Sequence, residues 1–129
     1  MNNTAIAHQE IDRWIEEHFD QQVLFLQSLV QIPTDTPPGN NTPHALKTVE
    51  LLSQMGLSAE QYEVPMAEVQ SHGLQAITNL IVRREFSPLG HQGAPEKQLK
   101  SKNGPTIALN AHGDVVPPGE GWTHNPYGG

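Results

Sequence analysis

A histidine and an aspartate two positions apart are the residues of this sequence whose types and spacing point most directly to chemistry. His112 and Asp114 follow a short apolar run and flank Gly113. In extended backbone, residues i and i+2 project to the same side of a strand. An imidazole placed there can bind a metal ion, and a neighbouring carboxylate can hold its second ring nitrogen, which fixes the tautomer. Gly113 allows the backbone to be approached closely or to adopt an unusual conformation.

The spacing alone has little specificity, because so short a pattern can occur by chance. The alternative interpretation is a histidine that is hydrogen-bonded at the end of a strand. His124 is close enough in sequence to approach the same metal, although an exposed loop histidine is the simpler interpretation. The remaining histidines are predicted to face solvent: His8, His18, His44, His72 and His91.

Two helical regions must position this pair. Apolar residues recur at helical spacing over residues 6–32, which predicts helix packed against a core, with a break near Phe19 where Asp20 is a candidate N-cap. Pro33 ends this region. A further helix is predicted to begin at Thr42, as N-cap, and to end at Gly56. Its predicted buried stripe consists of Leu46, Val49, Leu52 and Met55.

Three strands are predicted, over residues 57–64, 76–84 and 105–111. The last contains the run Thr-Ile-Ala-Leu, which is typical of a strand buried on both faces of a parallel sheet. Residues 86–105 are polar and predict an exposed loop or insertion. The order of elements predicts an α/β fold with helices on a mixed, mostly parallel sheet that is incomplete. Ligands of such sheets bind outside the carboxyl ends of the strands, where His112 lies.

Composition restricts the chemistry. The formal net charge is −7, which argues against a nucleic-acid partner, since such affinity rests on Lys and Arg. There is no cysteine, so a transition-metal site must use His, Asp and Glu. No apolar stretch is long enough to span a bilayer, and the first ten residues lack the features of a signal peptide. We therefore expect a cytoplasmic protein without a membrane partner.

Two motifs resemble those of the M20 metallopeptidases, a family that includes acetylornithine deacetylase, succinyl-diaminopimelate desuccinylase, aminoacylase and carboxypeptidase G2 relatives. The first motif is residues 109–119, LNAHGDVVPPG, followed by Gly121-Trp122 and Pro126-Tyr127. The second is residues 29–34, LVQIPT, followed by PPGN at residues 37–40. The resemblance covers about residues 25–129, with the intervening helix and strand in the expected order.

The resemblance implies a zinc-dependent hydrolase that cleaves amide bonds of N-acyl amino acids or small peptides through a metal-activated water. His112 matches a zinc ligand of the family, and Asp114 matches the catalytic-site carboxylate that supports its geometry. Two Zn2+ ions are implied for the complete enzyme, with Co2+ or Mn2+ as substitutes. Trp122 and Tyr127 lie in the motif without an implied chemical role and are predicted to pack in the loop.

The family's bridging aspartate, its glutamate base with the adjacent glutamate ligand, its further acidic ligand and its closing histidine have no counterpart here. The lid domain, which often mediates homodimerisation, is also missing. Residues 1–129 are thus expected to be the amino-terminal part of a catalytic domain, inactive by themselves. The alternative is a non-catalytic remnant or binding module of the same fold. A nucleotide-binding α/β domain is a weaker third interpretation, because no glycine-rich phosphate loop follows a strand.

Overall fold

The computed structural model describes residues 3–85 and 105–129. The described chain is a mixed α/β structure with the helices α1 (Asn3–Glu17), α2 (Phe19–Val30), α3 (Thr42–Gln54) and α4 (Met66–Ser71) and the strands β1 (Ala59–Glu63) and β2 (Thr78–Val82). The predicted loop at residues 86–105 lies, except for Pro105, outside the described residues. No helix in the described part of the chain is long and apolar enough to cross a membrane.

The predicted break in the first helical region is confirmed. His18 separates α1 from α2 and occupies the N-cap position of α2 without a capping hydrogen bond from its side chain. Asp20, the predicted N-cap, lies instead in the first turn of α2, where its negative charge interacts favourably with the helix dipole. The prediction of a helical region with one break is therefore confirmed, while the prediction of Asp20 as the N-cap was wrong.

Gly56 ends α3, as predicted. It adopts a left-handed φ of 73° directly after the C-cap Met55. Its amide donates to the carbonyl of Ser53 at 2.9 Å, and the amide of Leu57 donates to the carbonyl of Leu52 at 2.9 Å. This pair of bonds is the Schellman arrangement, in which glycine is favoured because it has no Cβ.

The start of α3 differs from the prediction, because the N-cap is Asn41 and not Thr42. The Asn41 side chain does not cap the helix but binds the backbone of Thr78, where β2 begins. Its Oδ1 accepts from the Thr78 amide at 2.7 Å, and its Nδ2 donates to the Thr78 carbonyl at 3.2 Å. Thr42 adds a hydroxyl–hydroxyl contact to Thr78 at 3.1 Å. The start of α3 is thus fastened to the sheet.

The sheet of the described residues has two antiparallel strands, in which Ala59 pairs with Val82 and Glu63 pairs with Thr78. The connection between them contains α4. Parallel pairing occurs only as two isolated bridges within the described residues, Asp35 with Val115 and Asn40 with Ala76. The mostly parallel sheet that the sequence predicts is therefore not present among these elements.

Residues 105–111, the strongest predicted strand, form no strand in this structure. Ile107 is 84% exposed and Leu109 is 94% exposed. A strand needs a hydrogen-bonding neighbour as well as a suitable local sequence, and no described segment pairs with this one. The prediction rested on the apolar, β-branched character of the run and could not supply that neighbour.

Two predicted core faces are exposed in large part, although Val49 and Leu52 of the second are half-buried. The α1 residues Ile11, Trp14 and Ile15 are exposed, because α1 contacts α2 and no other helix or strand of the described residues. On α3, Leu46 and Met55 are exposed and the buried residue is Ala45. The fully enclosed apolar residues of the described chain are Ala45 and Val69, so the core is small.

We predict that Asn41→Ala lowers the free energy of unfolding by about 1–3 kcal/mol, because it leaves the buried backbone of Thr78 without its partner. Urea unfolding followed by circular dichroism measures the change. Asn79→Ala is the matched control, since Asn79 is an exposed asparagine of β2 and should change stability by less than about 0.5 kcal/mol. Equal effects of the two substitutions would contradict the proposed role of Asn41.

Candidate functional site

Two loops that are far apart in the sequence meet beside α3. The Thr34 hydroxyl donates to the carbonyl of Gly113 at 2.6 Å across 79 positions of sequence. The Thr36 amide donates to the carbonyl of Val115 at 2.8 Å, and the Val115 amide donates to the carbonyl of Thr34 at 3.3 Å. Thr34 is only 4% exposed, so its hydroxyl is committed to this contact. The structure thereby brings the two motifs together.

A second set of contacts joins the end of the later motif to residues 31–35. The Tyr127 hydroxyl donates to Oδ1 of Asp35, and the Gln31 side-chain amide donates to the carbonyl of Gly128 at 3.3 Å. The hydrogen bond to Asp35, together with burial and the nearby carboxylate charge, raises the pKa of Tyr127. Asp35 therefore has a bridging role that the sequence did not reveal, and Tyr127 does more than pack within its own loop.

His112 and Asp114, the predicted pair, are in contact. Nδ1 of His112 lies 3.0 Å from the main-chain oxygen of Asp114 and 3.3 Å from its carboxylate Oδ1. A carbonyl oxygen and an ionised carboxylate oxygen can only accept, so Nδ1 must carry the proton. In the neutral ring, the lone pair is then on Nε2, which makes no hydrogen bond within residues 3–85 and 105–129. The side chains are 84% and 52% exposed, so Nε2 is accessible to a ligand.

This arrangement fits one ligand position of a zinc site. An imidazole whose other nitrogen donates to a carboxylate or carbonyl is the usual form of a metal-binding histidine. A structural or catalytic zinc ion needs three or four protein ligands. No group of three or more potential ligand side chains comes together in the described part of the chain. The residues described here therefore match a single ligand with its supporting carboxylate and do not form a complete site.

His44 is placed differently from the prediction that it faces solvent. Its ring, on the first turn of α3, is partly buried against Gly113. A Cβ added at Gly113 would lie 2.9 Å from Cε1 of His44 and 3.2 Å from its Nδ1. Burial lowers the pKa of His44, because desolvation penalises the charged imidazolium. The sequence offered no signal for this contact, since it joins residues 69 positions apart.

The contact between the two motifs borders a cleft of about 530 Å3. One wall comes from α2, including Leu26 and Leu29, and the other comes from residues 115–127, including Trp122. His44 and His112 also line it, so Gly113 and its two histidine neighbours stand at the edge of an apolar space. The cleft is open to solvent, since Leu26 is 61% and Trp122 is 60% exposed.

Trp122, Asn110 and His124 are the remaining candidate residues of the later segment. The Trp122 indole donates to the carbonyl of Pro118 at 2.7 Å, but its side chain is 60% exposed, so the predicted packing in the loop is confirmed only in part. Asn110 is exposed. His124, the alternative ligand, is exposed, and it belongs to no cluster of three or more potential ligands in residues 3–85 and 105–129.

We predict that Thr34→Val accelerates hydrogen exchange of the Val115 amide by about fivefold, which corresponds to the loss of about 1 kcal/mol from one partly buried hydrogen bond. Valine keeps the shape of threonine and removes the donor to Gly113. Native-state exchange measured by NMR tests this expectation. Thr123→Val, at an exposed position of the same segment, is the control and should leave the rate unchanged.

We predict that the His44 ring titrates below 6.5 in the folded chain and returns toward 6.5 in urea. Between the two pKa values, the unfolded chain binds more protons than the folded chain. Stability should therefore fall as the pH is lowered through this window and recover above 6.5. NMR titration gives the pKa, and His44→Gln should remove this part of the pH dependence. A His44 pKa at or above 6.5 in the folded chain would contradict the burial of the ring.

Comparisons of this chain with protein-family models, with curated proteins and with solved structures find no match.

Proposed function

We propose that this chain supplies the first metal-binding histidine of a zinc-dependent hydrolase that cleaves amide bonds of N-acyl amino acids or small peptides. The observation that supports it best is the contact of His112 Nδ1 with the main chain and carboxylate of Asp114, which leaves Nε2 accessible. The resemblance of the two motifs to M20 metallopeptidases suggested this pair, and the described contacts are those expected of it.

The joining of the two motifs supports the same proposal. Residues 29–40 and 109–127 were singled out separately in the sequence, and their contact uses Thr34, Asp35 and Tyr127. A chance resemblance of either segment would not require the two to meet. Their meeting beside an apolar cleft of about 530 Å3 provides space for a small acyl or side-chain group next to His112.

In the proposed enzyme, His112 would hold the metal through Nε2, and Asp114 would hold the ring in the matching tautomer and direction. A zinc ion bound there would supply a water of lowered pKa and would polarise the amide carbonyl. The general base and the remaining ligands belong to motifs that this sequence does not contain. The same proposal makes this chain the amino-terminal part of a catalytic domain, with no hydrolysis expected from these residues alone.

The proposed domain would continue the sheet. Ile107 and Leu109 project their side chains into solvent in the described structure, although their sequence favours a strand buried on both faces. A mostly parallel sheet that pairs with this run would bury both residues and would place His112 at the carboxyl end of a strand. A homodimer of the complete protein is part of the same proposal, since the family's lid domain often forms the dimer contact.

The test is to assay the intact product of the native gene against a panel of N-acyl amino acids and dipeptides with added Zn2+ or Co2+. We expect hydrolysis that a chelator abolishes and that the metal restores. Asp114→Asn should reduce kcat/KM by about 10–100-fold, as is usual when the group supporting a metal ligand is lost. His112→Ala should reduce it further.

His124→Ala is the matched control, because His124 is an exposed histidine of the same segment. Activity that survives His112→Ala, or that a chelator leaves intact, would contradict the assignment of His112. A native product that hydrolyses none of these substrates but binds them would favour the binding-module alternative.

A further inference from the structure

Gly113 contacts two groups from other parts of the fold. The Thr34 hydroxyl donates to its carbonyl at 2.6 Å. The His44 ring is so close that a Cβ would meet Cε1 at 2.9 Å, a separation that real Cβ atoms essentially never show. The φ angle of Gly113 lies outside the left-handed region. A Cβ at this position would therefore displace the His44 ring, and the steric constraint comes from that ring and not from the backbone conformation of Gly113.

The backbone of His44 is held in place by its neighbours in α3. It lies on the first turn of α3, next to Ala45, which is 3% exposed, and the Thr48 hydroxyl donates to its carbonyl at 2.8 Å. The same turn follows Asn41, whose side chain binds the backbone of Thr78. The backbone that carries the ring is consequently fixed by the attachment of α3 to the sheet.

Gly113 connects the two members of the predicted site. The contact from Nδ1 of His112 reaches both the main-chain oxygen and the carboxylate of Asp114, at 3.0 and 3.3 Å. Both contacts span Gly113, so they depend on the backbone conformation of this glycine. The His44 ring beside Gly113 and the hydrogen bond to the Gly113 carbonyl both restrict that conformation.

We propose that His44 is a positioning residue that acts through Gly113 to hold His112 in its metal-binding orientation. This inference rests on the proposed role of His112 as a metal ligand. The contribution of His44 is the packing of its planar ring, and none of its nitrogen atoms needs to bind metal. The imidazole can therefore be replaced by another flat ring but not by a small side chain.

The experiment uses two readouts on the 15N-labelled chain and its variants His44→Ala and His44→Phe. The first is the tautomer of the His112 ring, read from its 15N chemical shifts without metal at about pH 8, where an ordinary imidazole is neutral. The second is the Co2+ concentration that half-broadens the His112 ring signals. We expect His44→Ala to reduce the fraction with the proton on Nδ1 and to raise the Co2+ midpoint about tenfold.

His44→Phe should keep both readouts close to those of the original chain, because it preserves the ring that packs on Gly113. If His44→Phe behaves like His44→Ala, a nitrogen of His44 is required and the packing role is overturned. If His44→Ala changes neither readout, His44 does not position His112 and the inference is again overturned.

Gly113→Ala provides an independent test through a double-substitution cycle. Alone, it should disturb both readouts, because its Cβ collides with His44. Combined with His44→Ala, which removes the collision, it should give the same Co2+ midpoint as His44→Ala and not the product of the two effects. Effects that multiply would show that the two residues act separately and would overturn the inference. Should Gly113→Ala fail to fold, the His44→Ala and His44→Phe pair decides.

The two readouts also separate this inference from the proposed function. If Co2+ broadens His124 as readily as His112 in the original chain, the proposed metal-binding role fails. The tautomer measurement still decides whether His44 positions the His112 ring. If Co2+ selects His112 but His44→Ala has no effect, the proposed function keeps its support and the positioning role is lost.

Discussion

The contact between the segment from Thr34 to Thr36 and the segment from Gly113 to Val115 is the constraint on which the site depends. Closing a loop of this length costs on the order of 4 kcal/mol of chain entropy, from a sequence separation of 79 positions. Three hydrogen bonds at about 1 kcal/mol each, together with the bond from Tyr127 to Asp35, about offset that cost. The contact between the two segments is therefore stable by only a small margin, to which apolar contacts around the neighbouring cleft add.

The sequence predicted the features that depend on local chemistry. Pro33 and Gly56 limit the helices where expected, since one removes a backbone donor and the other accepts a left-handed conformation. The predicted N-cap Thr42 was wrong for a tertiary reason. Its neighbour Asn41 is held in the N-cap position by the backbone of Thr78, 37 positions away. Rules that predict helix caps from the neighbouring sequence do not take account of such a long-range contact.

The same division holds at the candidate site. The pairing of His112 with Asp114 was predictable, because two positions of separation suffice to bring the side chains together. The partners of Gly113 were not predictable, because Thr34 and His44 reach it only through the fold. A histidine two positions after the start of a helix has no sequence pattern of its own, and the solvent-facing interpretation of His44 was the natural one. Glycine between two functional residues was the one available signal of a close neighbour.

The exposed apolar surface bears directly on how rigid this site can be. His112 follows immediately after a run in which Ile107 is 84% and Leu109 is 94% exposed, so no packing restrains the segment on its amino-terminal side. On its carboxyl-terminal side, the bridge from Asp35 to Val115 restrains it. His112, the proposed metal ligand, thus lies between a segment that other parts of the fold restrain and a segment that they do not. The contacts of Gly113 with His44 and Thr34 are the restraints nearest to it. A metal site needs its ligands held to within about half an ångström. Pairing of residues 105–111 with a neighbouring strand would provide the missing restraint. The burial of this run and the precision of the metal site should consequently arise from the same contact.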